Sequence, residues 1–135
     1  MLAGLDALME EIYLINAEKG WYDKPREFSD DTQLITEEAS EAYREYRKGH
    51  EPDEIYGECK QCCEIYTGAV DFHNPCTNGH CGGIIEPKGI PVELIDVVIR
   101  ALDSCKRGNI RPSTVMALKL AYNRQRSYQH GDKRT

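Results

Sequence analysis

Apolar residues recur at helical spacing in four stretches of this chain and lose that period in one. Leu2, Leu5, Leu8, Met9, Ile12 and Ile15 predict a first helix over about residues 2–18, which Gly20 ends. Leu34, Ile35, Ala39, Ala42, Tyr43 and Tyr46 give the packing side of a second, beginning near Asp31 or Thr32 and ending at Gly49. In the third, GIPVELIDVVIRALD, Pro91 suits the first turn. Val92, Leu94, Ile95, Val97, Val98, Ile99, Ala101 and Leu102 leave it almost no polar side, so it is expected in the middle of a core. Val115, Met116, Leu118, Leu120 and Ala121 predict a fourth helix, capped by Ser113 or Thr114. From residue 50 to 88 the helical pattern disappears. The expected organisation is therefore a helical domain of residues 1–49 and 89–135, interrupted by a separate module at 50–88.

Charge breaks the apolar pattern where it is most costly. Glu93, Asp96, Arg100 and Asp103, spaced by three, four and three, fall on one stripe of the oily third helix. Carboxylates one turn apart in that setting are unfavourable unless something positive meets them, and a bound cation does so. Glu38, Glu41 and Glu45 follow the same spacing on the second helix. Glu37, Glu41 and Glu45 are also like-charged neighbours at i,i+4, an arrangement that surface helices usually avoid. A solvated face would account for a run of glutamates, but the matching pair on the apolar helix favours metal ligation by Glu38 and Glu41. Glu45 is expected to be structural. Two helices offering E-x-x-E and E-x-x-D can place four carboxylates on one metal centre.

Five of the six cysteines fall between Cys59 and Cys81. Cys59 and Cys62 form a two-residue knuckle, and Cys76 and Cys81 form a wider one followed by Gly82 and Gly83. Four thiolates so spaced fit a tetrahedral zinc site of the ribbon kind. Cys63, His73 and His80 lie close enough to replace one ligand. The intervening EIYTGAV suits a short strand and turn. A closed four-ligand site has no open position for chemistry, so the zinc is expected to be structural. Cys105 stands apart and is expected to be a small buried thiol.

A chain of 135 residues with 40% hydrophobic residues supports one domain with a small insertion. Its net charge of −6 argues against broad binding to a nucleic-acid backbone. The N-terminal stretch lacks the basic head and long apolar run of a signal peptide, and no segment has the length to cross a membrane. Clustered cysteines without such a signal point to a reducing cytoplasm and to metal binding before disulfides.

Together, Glu38-x-x-Glu41 in LITEEASEAYREYRKG, Glu93-x-x-Asp96 in GIPVELIDVVIRALD and the closing KLAYNRQRSYQHGDK carry a family resemblance. The sequence resembles the MazG-like all-α nucleoside triphosphate pyrophosphohydrolases, in the compact form common among bacteriophages and bacteria. The likeness extends over nearly everything except residues 50–88, where minimal relatives have a short link. It implies an all-α, four-helix MazG-like bundle with the zinc-ribbon-like module inserted between the second and third helices. It further implies that Glu38, Glu41, Glu93 and Asp96 bind catalytic magnesium and that Lys119, Asn123 and Arg126, with Lys133, help hold the nucleotide. Trp21 and Asp23 match the family's W-x-D, and Trp21 serves either as a plug at a helix junction or as a ring near the base. The implied reaction is hydrolysis of a nucleoside or deoxynucleoside triphosphate to monophosphate and pyrophosphate, in a cytoplasmic homo-oligomer, dimer or tetramer, the host's cytoplasm if the chain is phage-encoded. The alternative is a zinc-ribbon interaction module on an inactive scaffold of this kind. A ferritin-like di-iron centre would need Glu-x-x-His, which neither Glu38 nor Glu93 provides.

Overall fold

A computed structural model describes residues 2–127. Among them are four helices, α1 (Ala3–Glu18), α2 (Phe28–Arg47), α3 (Ile90–Arg107) and α4 (Pro112–Gln125), and three strands, β1 (Tyr56–Cys59), β2 (Ile65–Tyr66) and β3 (Ile85–Lys88). The structure is thus mostly helical rather than all-α, because the cysteine segment folds as a small sheet.

Three helices stop in the same way. After α1, Gly20 takes a positive φ, its N–H reaches the Ala17 carbonyl and the Trp21 N–H reaches that of Asn16. Gly49 and His50 repeat this after α2 on the carbonyls of Tyr46 and Glu45. After α3, which ends at Arg107, the left-handed residue is Asn109, with a φ of 54°. Asparagine is one of the few side chains that tolerates this conformation, and the paired bonds satisfy carbonyls the helix end would otherwise leave unmet.

The chain divides into two compact units. One comprises the chain up to Phe28 and from Ala101 onward; the other is Ser29–Arg100. In the first unit the Asp6 carboxylate on α1 accepts the Ser113 backbone N–H at 2.9 Å and the Ser113 hydroxyl. That long-range contact does the work expected of a local cap. Helix α4 starts at Pro112, preceded by an extended Arg111, instead of being capped by Ser113 or Thr114. Val115, Met116, Leu118 and Leu120, expected to pack, stay substantially exposed. Asp103 is buried and receives hydrogen bonds from the Tyr22 hydroxyl, from Asn16 Nδ2 at 3.1 Å and from Arg26 Nη2 at 3.5 Å. It is neutralised within its own unit.

In the second unit the sheet order is β2-β1-β3, with both pairings antiparallel. Tyr56 faces Lys88 and Cys59 faces Ile85 across β1 and β3. Helix α2 begins at Phe28, earlier than expected, with Asp30 and Asp31 inside its first turn, where negative charge complements the helix dipole. Its buried residues are Asp31, Ala42 and Glu45; Tyr43 and Tyr46, expected on the packing side, are exposed. Helix α3 inverts expectation more sharply. Glu93 is only 7% exposed, while Leu94 and Ile95 beside it are 52% and 58% exposed.

Candidate functional sites

Three of the four expected carboxylates meet within the second unit. Glu38 on α2 and Glu93 and Asp96 on α3 each present an oxygen within 4.8 Å of the other two. Glu41, one turn after Glu38, lies outside that group of three; its charge bears on the Glu93 carboxyl, and it pairs with Arg44 at 3.2 Å. Arg100, one turn after Asp96, donates from Nε to Glu38 Oε1 at 3.0 Å. The expected spacing therefore does its geometric work, since residues three and four apart share a helix face.

Electrostatics make this cluster expensive without a cation. Burial, then the charges of Glu41 and Asp96, push the Glu93 carboxyl up to about 7. Burial and Glu38 likewise raise Asp96, against the pull of Arg100. Two guanidiniums, Arg100 on Glu38 and Arg44 on Glu41, do not balance four carboxylates. An all-oxygen donor set of this charge suits a hard divalent ion such as magnesium and offers nothing to a soft one.

A second metal-ligating group lies in the cysteine segment. Cys59, Cys62, Cys76 and Cys81 bring their sulfurs together, and none is in a disulfide. The Sγ atoms of Cys59 and Cys81 are 3.6 Å apart, as are those of Cys62 and Cys76. Tetrahedral zinc with bonds of about 2.3 Å sets sulfurs at about 3.8 Å, so the four cysteines could hold a metal such as zinc. Backbone amides of Cys62 and Gln61 point at Cys59, and the first of these chiefly lowers its thiol to about 6, against the effect of burial. The Tyr66 hydroxyl lies 3.0 Å from Cys76 Sγ and Asn78 Nδ2 lies 3.7 Å from Cys62 Sγ, a surrounding shell that orients the ligands. A side chain at Gly83 would collide with Cys59 Sγ, its Cβ falling 2.7 Å away. Cys63, His73 and His80 are exposed and outside this group of four. Cys63 instead turns the knuckle, with a φ of 62°. Cys105 is half-buried rather than buried.

The remaining expected residues belong to the first unit. Lys119 Nζ and the Arg126 guanidinium lie 5.0 and 5.8 Å from the centre of the Tyr122 ring, and Asn123 offers its carbonyl to the Arg126 N–H. Trp21 is 42% exposed and carries the Arg26 guanidinium over its ring at 5.5 Å, a surface stack rather than a buried plug. Lys133 lies outside the described residues.

Comparisons with protein-family models, with curated proteins and with solved structures return no match. The sequence pattern missed Arg100 as the partner of Glu38, although its place four residues after Asp96 signalled a shared face. It also missed Lys88, which only the strand register brings beside Tyr56 and the end of α2.

Proposed function

We propose that this chain is a magnesium-dependent nucleoside triphosphate pyrophosphohydrolase of the MazG-like kind, with a structural zinc in its insertion. The observation that carries the proposal is the meeting of Glu38, Glu93 and Asp96, on helices far apart in sequence. These four residues would hold the metal. Magnesium supplies, when bound, charge neutralisation of the triphosphate and acidification of coordinated water. Either Glu38 or Glu41 orients a water toward the α-phosphorus and takes up its proton. As the new P–O bond forms, the bond from the α-phosphorus to the α,β-bridging oxygen breaks, and pyrophosphate leaves with that oxygen. The family resemblance gives Lys119, Asn123, Arg126 and Lys133 to the nucleotide and Trp21 to its base.

Zinc is proposed as structural because the module has little else to hold it. Its buried core is Cys59, Cys76 and Ile85, with Tyr66, Val70, Phe72 and Cys81 packed around them. One buried aliphatic side chain contributes about 1.5–3 kcal/mol. Ordering each residue's backbone costs about 1–2 kcal/mol.

The exposed Tyr43, Tyr46, Leu94, Ile95 and Val98 support the proposal that the working form is a homo-oligomer, which light scattering would report as more than one chain mass. Free cysteines support a reducing, cytoplasmic setting. No described helix is long and apolar enough to cross a membrane.

A panel of nucleoside and deoxynucleoside triphosphates incubated with magnesium tests the activity, with pyrophosphate and orthophosphate measured separately. Pyrophosphate and monophosphate are expected in equal amounts, and Asp96→Ala is expected to abolish both while helix content is kept. Release of orthophosphate alone, or full activity in Asp96→Ala, overturns the proposal.

A further inference from the structure

Beside the acidic cluster the second unit has a cavity of about 350 Å³ lined by Glu41, Arg44, Glu45, Lys48, Lys88 and Glu93. At about 30 Å³ per water it holds roughly ten waters. Two of its walls are the carboxylates proposed above to hold magnesium. The others bring three cations together, Arg44 from the last turn of α2, Lys48 from just past its end and Lys88 from the end of β3.

The cations are held there by a connected set of contacts. The Tyr56 hydroxyl donates to Glu45 Oε2 at 2.7 Å, and Lys48 Nζ reaches Glu45 Oε1 at 2.9 Å, so buried Glu45 fixes Lys48 from below. Lys88 is the strand partner of Tyr56 and its side chain is 30% exposed, with Glu86 at 3.3 Å. Cys59, three residues along β1 from Tyr56, ties the same strand pair to the thiolate cluster. The cysteine-held sheet thus sets Lys88 opposite α2.

Charge decides what such a cavity accepts. Without metal, three carboxylates and three cations balance, and Arg44 leans on Glu41 at 3.2 Å. An exposed i,i+3 pair of that kind contributes about 0–1 kcal/mol and is cheaply exchanged. A divalent cation on Glu41 and Glu93 would neutralise the carboxylates that face Arg44 and Lys88 and shift the charge of the cavity toward positive. Convergent lysines and an arginine beside an oxygen-bound divalent ion suit a diphosphate group.

We infer that this cavity binds the terminal diphosphate of a metal-bound polyphosphate, and that Lys88, supplied by the insertion, is one of its binding residues. The inference rests on the proposed hydrolase for the source of that group, the β- and γ-phosphates that leave as pyrophosphate. Glu45 and Tyr56 act as positioning residues for Lys48.

Calorimetric titration of the magnesium-loaded, zinc-containing full chain with pyrophosphate, orthophosphate and a nucleoside monophosphate tests this directly. Pyrophosphate is expected to bind more tightly than the other two. Lys88→Ala and Lys48→Ala should each weaken it about tenfold or more, the loss expected for one charge-assisted contact, and Lys88→Arg should restore most of it. Metal affinity measured without phosphate, and zinc content, should stay at the native level in all three variants. Unchanged pyrophosphate affinity in both alanine variants, no pyrophosphate binding by the native chain, or a loss matched by an equal loss of metal affinity overturns the inference. Hydrolysis with an indifferent Lys88 would leave the activity standing and remove the subsite. Lysine-dependent pyrophosphate binding without hydrolysis would do the reverse.

Discussion

Glu93 concentrates the tension in the acidic site, being the most buried carboxylate of the cluster and the one on which Glu41, Asp96 and Glu38 all press. Its carboxyl titrates near 7 instead of 4.5, so the folded chain holds a proton there that the unfolded chain has lost. Stability from that proton is fully present below about 4.5 and is lost as pH rises through about 7; Asp96, also raised, adds in the same direction. The metal-free melting temperature is therefore expected to fall from pH about 4.5 to about 7 and to level off above, and magnesium to raise it more at the upper value. Glu93→Gln should flatten the metal-free profile. A native profile indistinguishable from that of Glu93→Gln contradicts this account of the site. At this scale the sequence was informative about ligands and silent about their partners. A three-residue spacing fixes which side chains share a helix face whatever surrounds the helix, so Glu38, Glu93 and Asp96 could be named from local pattern. The contacts that neutralise or hold neighbouring groups, Arg100 on Glu38 and Tyr56 on Glu45, join residues 62 and 11 positions apart and follow from packing alone.

Among the elements, the helices and the short strand β2 within EIYTGAV were legible, and the strands β1 and β3 were not. Gly20 and Gly49 mark left-handed stops that need no tertiary contact, and Pro91 falls in the first turn of α3 where no amide is missed. Strands β1 and β3 depend on pairing across 32 positions, Tyr56 with Lys88, and short strands of mixed polarity carry little local signal. The cysteine spacing foretold the ligands and gave no warning that their sheet ends in the acidic cavity. That connection yields a prediction. Stripping zinc with a chelator, or replacing Cys59 and Cys76 by serine, should disorder the sheet and weaken pyrophosphate binding at least as much as Lys88→Ala does, while magnesium binding falls less. Amide exchange of residues 56–88 would report the loss of the sheet. Unaltered exchange and unaltered pyrophosphate affinity after complete zinc removal would mean that the metal neither holds the module nor positions Lys88.

In the whole molecule, the mismatch between what is buried and what is exposed on α3 is the feature that function must explain. A helix that buries a glutamate and shows Leu94 and Ile95 to solvent runs against transfer free energies of about 25 cal/mol per Å² of apolar surface. The mismatch is removed if a cation meets the carboxylates and a second chain covers the leucine face. The first condition is the one on which both hydrolysis and the charge of the cavity depend. It is tested most directly by titrating the zinc-loaded chain with manganese, used as a paramagnetic substitute for magnesium, and following free ion by electron paramagnetic resonance. Saturable binding that magnesium displaces, lost in Asp96→Ala and Glu38→Ala and kept in Lys119→Ala, is the predicted result. Binding that survives removal of both Glu38 and Asp96, or no binding by the native chain, would contradict it.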